Sequence, residues 1–121
     1  MLRCGIDSLE IERVEEGIAR LGERFLDRFF TPAERAECSD KPHRLAARIA
    51  AKEAVGKALG TGIGDVSWVE IEITSDPRGR PVLTLHGAAA ALAAKLGLTE
   101  WDVSLTHTRT TASAVVVALG H

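Results

Sequence analysis

The feature that most limits what this chain can become is an alanine-rich run from His43 to Leu59, closed by Gly60-Thr61-Gly62-Ile63-Gly64. Good helix formers fill the run, and Gly60 stands where a helix C-cap takes a glycine, so the spacing predicts one long central helix. Other segments carry weaker signatures. Leu2 to Ile6 reads as a short strand, with Asp7 and Ser8 as turn or helix-start residues, which places Asp7 at a strand end. From Ile11 to Phe29, six apolar residues fall within an arc of about 80° on a helical wheel, and Gly22 kinks or divides that helix. Thr31, Pro32 and Glu34 supply an N-cap, a first-turn proline and a capping-box acid for a short helix ending near Ser39.

Trp68 to Thr74 alternates like a strand, Asp76-Pro77-Arg78-Gly79 is turn chemistry, and Pro81 to His86 returns as a second strand. Gly87 to Leu96 reads as a small alanine-rich helix, followed by strands over Trp101 to Thr106 and Thr111 to Leu119. The order predicts an α+β fold, an antiparallel sheet packed on helices with one long central helix, as a single domain over residues 1–121.

Charge and composition remove several functional classes. Fifteen basic residues face seventeen acidic ones, net −2, so a general nucleic-acid binder or an anionic-membrane binder is excluded as an expectation. The most apolar run, Ala88 to Ala94, is far shorter than the roughly 20 residues a membrane span needs. No apolar stretch of signal-peptide length follows Met1, and Cys4 and Cys38 form no CxxC pair. The expectation is a cytoplasmic protein with reduced thiols.

Histidines and cysteines show no zinc-ligand spacing on any one element, but hard-cation chemistry is open. Asp7 and Glu53 are candidate Mg²⁺ ligands, because Mg²⁺ commonly takes one or two protein carboxylates and completes its octahedron with water and substrate phosphate. Glu53, Lys57 and Gly60 lie at i, i+4 and i+7 and share a helix face, and the glycine run offers backbone that can approach a ligand closely. The competing reading is a Glu53–Lys57 surface pair with a glycine stop behind it. The run is not a P-loop, and it follows a helix C-terminus whose partial charge is negative, so positive charge at a phosphate must come from Lys52, Lys57 or a metal. Ser104-Leu105-Thr106-His107 closes a strand, where a lone histidine is ordinarily structural or exposed. Arg13, Arg20, Arg24 and Arg28 share one arc of the first helix, either as a docking row or as a solvated face with Glu16 paired to Arg20.

Together Gly5-Ile6-Asp7, Arg48-Ile49-Ala50-Ala51-Lys52-Glu53-Ala54, Gly60-Thr61-Gly62-Ile63-Gly64, Gly79-Arg80-Pro81 and Ser104-Leu105-Thr106-His107 resemble the holo-acyl-carrier-protein synthases, small single-domain 4′-phosphopantetheinyl transferases. The resemblance covers essentially the whole chain. It departs at Ile49, where that family usually has Phe or Trp, and at Ser8, where an aliphatic residue is usual. It implies transfer of 4′-phosphopantetheine from coenzyme A to a serine of apo acyl carrier protein, in fatty-acid or polyketide biosynthesis. On it, Asp7 and Glu53 bind Mg²⁺ and form the catalytic set with Lys57. Coenzyme A is met by Lys52, Lys57, Gly60, Gly62, Thr106 and His107, and the carrier by Arg13, Arg20 and Arg24. A homotrimer with active sites between subunits is implied as well. The serine hydroxyl would attack the β-phosphorus and release adenosine 3′,5′-bisphosphate, with Glu53 or a metal-held water as base. Two other readings compete: a small Mg²⁺-dependent nucleotide phosphohydrolase, and a non-catalytic oligomeric module binding a nucleotide-like ligand.

Overall fold

In the computed structural model, which describes residues 1–121, the two ends of the chain meet in one sheet. The elements are β1 (Leu2–Glu10), α1 (Ile11–Leu21), α2 (Glu23–Phe29), α3 (Pro32–Cys38), α4 (Pro42–Leu59), β2 (Ile71–Ser75), β3 (Pro81–Leu85), α5 (Gly87–Leu96), β4 (Leu98–His107) and β5 (Thr111–Gly120). β1, β5 and β4 form an antiparallel sheet in that order, and β2 and β3 form a separate hairpin. The α+β architecture with one long central helix is as expected. The strands, however, divide into two sheets rather than one.

Two local expectations are corrected, and a third is borne out. β1 does not end at Ile6: it pairs residue for residue with β5 as far as Glu10 against Thr111, so Asp7 is an interior strand residue opposite Ala114. The expected strand from Trp68 begins instead as a 3₁₀ turn over Trp68–Glu70, capped by reciprocal bonding between Ser67 and Glu70. As expected, Gly22 divides the helix that starts at Ile11, with a φ of 57° that an L-residue adopts at a cost.

The central helix α4 packs on the inner face of the three-stranded sheet. Ala50, Ala51, Ala54 and Val55 meet Ile71 and Ile73 of the hairpin and Val103, Ala114 and Val116 of the sheet in one continuous core. A second cluster joins Ile11, Val14, Leu26 and Phe30 to Leu45, Ile49 and Ala112. Alanine on most of α4 is what permits such close approach on several sides. β1 comes nearest: a β-carbon at Gly5 would lie 2.8 Å from the carbonyl carbon of Ala54 and closer still to its oxygen.

The outer face of the sheet carries an uncovered apolar stripe along β1 and β5, beside the polar Asp102, Ser104 and Thr106 of β4. Leu2, Ile6, Val115, Val117 and Leu119 are exposed there, Leu2 and Ile6 at 73% and 66%. The register places Leu2 opposite Leu119 and Ile6 opposite Val115, so these side chains form a stripe with Cys4 at its centre. No helix is long and apolar enough to cross a membrane.

Candidate active site

Because Gly5 lets β1 lie directly on α4, the next residue on that face of the strand, Asp7, faces the helix. Lys57 of α4 closes the gap, its Nζ donating to the Ile6 carbonyl at 2.9 Å and to Asp7 Oδ1 at 3.2 Å. Glu53 sits one helical turn earlier and is half-buried. Burial raises its pKa from the ordinary carboxylate range, the neighbouring Asp7 charge raises it further, and Lys57 and Arg13 oppose both. Asp7, Glu53 and Lys57 therefore converge. Beside Glu53 and Arg13 opens an apolar recess of about 220 Å³, lined by Leu9, Val14, Phe25, Phe29, Ile49 and Trp68.

Two like-charged carboxylates held next to each other fit a divalent cation. The pair leaves most of an octahedral shell to water and phosphate, as Mg²⁺ prefers. No three His, Cys, Asp or Glu side chains converge anywhere, so no closed all-protein cage is formed.

Other residues expected to meet coenzyme A are differently placed. Lys52 is wholly buried, and its three protons go to Glu34 Oε1 at 2.8 Å, the Trp68 carbonyl at 2.9 Å and the Ile71 carbonyl at 2.8 Å. It has no donor left for a phosphate, which corrects that assignment. The amides of Gly60, Thr61 and Gly62 all converge on the Gly56 carbonyl, so the start of the glycine run is a helix stop whose N–H groups are already used. Gly60 and Gly62 offer a ligand no amide donor. Thr106 and His107 are exposed at the end of β4, and the His107 ring lies 5.0 Å from that of His43.

Sequence reasoning gave no role to the arginines around a second, wider cavity. A recess of about 830 Å³ lies between the start of α4, the hairpin and β4, lined by Arg44, Arg48, Arg80, Asp102, Ser104 and Leu105 among others. Arg80 Nη2 holds both oxygens of Asp102 at 3.0 Å, and Arg48 Nε is buried without a partner. Both arginines stand within motifs already singled out, Arg48-Ile49-Ala50 and Gly79-Arg80-Pro81. What was invisible is that a hairpin and a helix distant in sequence would aim them into one cavity.

The arginine row crosses the break at Gly22, with Arg13 and Arg20 on α1 and Arg24 and Arg28 on α2. All four are exposed, and none forms a salt bridge, so the Glu16–Arg20 pair of the alternative reading is absent.

An α+β fold with a carboxylate pair at the strand–helix junction and a separate arginine-lined cavity agrees with what comparison reveals: the chain belongs to the 4′-phosphopantetheinyl transferase superfamily, whose family model matches residues 3–115. The holo-[acyl-carrier-protein] synthase of Solidesulfovibrio magneticus is 53% identical over 118 residues, covering 96% of each chain. The Helicobacter pylori holo-[acyl-carrier-protein] synthase, solved in complex with coenzyme A, superposes with a TM-score of 0.88 at 35% identity, covering 96% of this chain and 99% of the other. The Bacillus anthracis synthase, in complex with coenzyme A (3′,5′-ADP), gives 0.80 at 32% identity over 98% and 96% of the two chains.

Proposed function

We propose that this chain is a holo-acyl-carrier-protein synthase, transferring the 4′-phosphopantetheine of coenzyme A to a serine of apo acyl carrier protein in fatty-acid or polyketide synthesis, with Mg²⁺ held by Asp7 and Glu53. The observation that carries this reading is the Asp7–Glu53–Lys57 cluster, set in a chain that matches this family over residues 3–115. Mg²⁺ there would neutralise charge on the pyrophosphate. Lys57, exposed and still free to turn one proton outward, adds a cation beside the leaving oxygen. The carrier serine oxygen bonds to the β-phosphorus as the bond to the bridging oxygen breaks, and a Glu53 carboxylate oxygen takes the hydroxyl proton.

The arginine cavity supports binding of the adenosine bisphosphate end. Arg48 Nε, buried and unpartnered, is an unmet donor that a phosphate oxygen would satisfy. On α4, Arg48 and Glu53 are about 140° apart in rotation, so one chain points its phosphate-binding and its carboxylate groups in different directions. Two copies of the chain, one giving the Asp7–Glu53 pair and the next the arginine cavity, complete a site. The bare apolar stripe of Leu2, Ile6, Val115, Val117 and Leu119 is the surface on which such copies would pack. A homotrimer with shared active sites accounts for both features. The unpaired row of Arg13, Arg20 and Arg24 would receive the acidic carrier.

The decisive test incubates the protein with coenzyme A and apo acyl carrier protein, with Mg²⁺ and then with chelator, and weighs the carrier by mass spectrometry. A gain of one phosphopantetheine seen only with metal is expected. Binding of coenzyme A without transfer to any of several carriers would overturn the assignment.

A further inference from the structure

Helix α4 carries Glu53 and Lys57, so its exact rotation decides whether they meet Asp7. Residues Leu45 to Lys52 are buried without interruption, and so are most of those that follow. Ala46, Ala47, Ala50, Ala51, Ala54 and Ala58 fall within an arc of about 140°, and Leu45, Ile49, Lys52, Val55 and Leu59 fill the opposite side, so small and large faces set the helix coarsely. Apolar packing is not directional, and a turn of a few tens of degrees would carry Glu53 away from Asp7.

One contact is not interchangeable. Lys52 and Glu34 are both wholly buried, joined at 2.8 Å, and between them reach four separate pieces of the fold. Glu34 Oε1 also accepts the Thr31 amide at 2.9 Å, and Oε2 accepts the Ile73 amide at 2.8 Å. The remaining Lys52 protons go to the Trp68 and Ile71 carbonyls, and the Phe30 ring lies 5.7 Å from Nζ. The three groups that accept from Lys52 sit on α3, the hairpin and the 3₁₀ turn before it, so directional bonds tie α4 to all three. A buried ion pair of this kind adds little stability over apolar residues of similar size, and its best-attested use is to specify register.

We propose that Glu34 and Lys52 are a positioning pair: they set the rotation of α4 and so aim Glu53, the next residue, at Asp7. This rests on the reading of Asp7 and Glu53 as cation ligands. The pair touches no substrate and acts only through Glu53.

The test compares the parent with E34L/K52M, in which apolar side chains replace both charges, using Mn²⁺ as the probe. The double variant should unfold cooperatively at a temperature near that of the parent. Its Mn²⁺ affinity should fall about 10- to 100-fold, the range typical of losing groups that orient a metal ligand. Its kcat should fall in parallel. The carrier KM should stay within about threefold, because the docking arginines are on α1 and α2. A folded double variant with parental Mn²⁺ affinity overturns the proposal. If it does not fold, E34Q, which keeps the shape and loses the charge, carries the test: weakened Mn²⁺ binding supports the proposal and unchanged binding overturns it. Failure of both to fold assigns the pair to stability alone and also overturns it. D7N separates the two readings, because a parent that binds Mn²⁺ no better than D7N refutes the metal site itself.

Discussion

Gly5 and Ala54 are packed backbone against backbone: a β-carbon on Gly5 would stand 2.8 Å from the Ala54 carbonyl carbon. This contact brings Asp7 within reach of Lys57 and Glu53, so a strand glycine with no chemistry of its own sets the geometry of the site. Gly5→Ala must push β1 off α4. Overpacking of a rigid backbone contact costs about 1–3 kcal/mol, which denaturant unfolding will measure, and Mn²⁺ affinity should fall with it. A variant of parental stability would mean that the strand and helix separate freely.

Glu53 supplies a pH-dependent prediction. A carboxyl whose pKa is raised in the folded protein favours its protonated form there, so it contributes stability at low pH that is lost as pH rises through the raised value. Without metal, Glu53→Gln should therefore match or exceed the parent in thermal stability near pH 8, and the difference should vanish below the usual carboxylate range. Phosphopantetheine transfer should show the opposite response, lost by more than about 100-fold in Glu53→Gln at every pH. A folded Glu53→Gln protein with substantial turnover would remove Glu53 from the mechanism.

How much of this was legible in the sequence varied with the range of the forces involved. The central helix, the Thr31–Glu34 cap and the stop at Gly60 follow from local backbone preferences, and all three are in place. The end of β1 was misread because strand length is decided by the partner: β5 pairs as far as Glu10, which no feature near Asp7 discloses. Lys52 was misread for a related reason. A lysine beside a metal carboxylate invites a phosphate, and only the fold shows Glu34 and two carbonyls already taking its protons. Glu34 itself was read as a cap, which it is, with no sign that the same carboxylate holds an ion pair in the core.

Arg48 and Arg80 predict how the nucleotide is read. Arg48→Ala should raise the coenzyme A KM about 10-fold or more, with a much smaller change for dephospho-coenzyme A, which lacks the 3′-phosphate. Arg80→Ala should act in the same direction but less strongly, because Arg80 must first leave Asp102. Equal effects on both substrates would place the 3′-phosphate outside this cavity.

The free Arg20 and Arg24 predict salt-sensitive association with an acidic carrier. Arg20→Glu should raise the carrier KM well above any change in the coenzyme A KM, and the deficit should shrink as ionic strength rises past about 0.15 M, where charges beyond about 8 Å are screened. A change in both KM values by the same factor would point to a disturbed α1 rather than a lost docking charge.

The two cysteines report on assembly. Cys38 is fully buried, and burial pushes its thiol up to about 11, so it holds little thiolate at neutral pH and should stay inert until the protein unfolds. Cys4 is exposed in the single chain, at the middle of the apolar stripe, facing Val117 across the strand pair. If that stripe is the contact between copies, a maleimide should label Cys4 slowly in concentrated protein and quickly on dilution below the dissociation constant. Sedimentation should show the trimer giving way over the same concentration range. Rapid labelling of Cys4 in a sample that sediments as a trimer would place the interface on another face of the molecule.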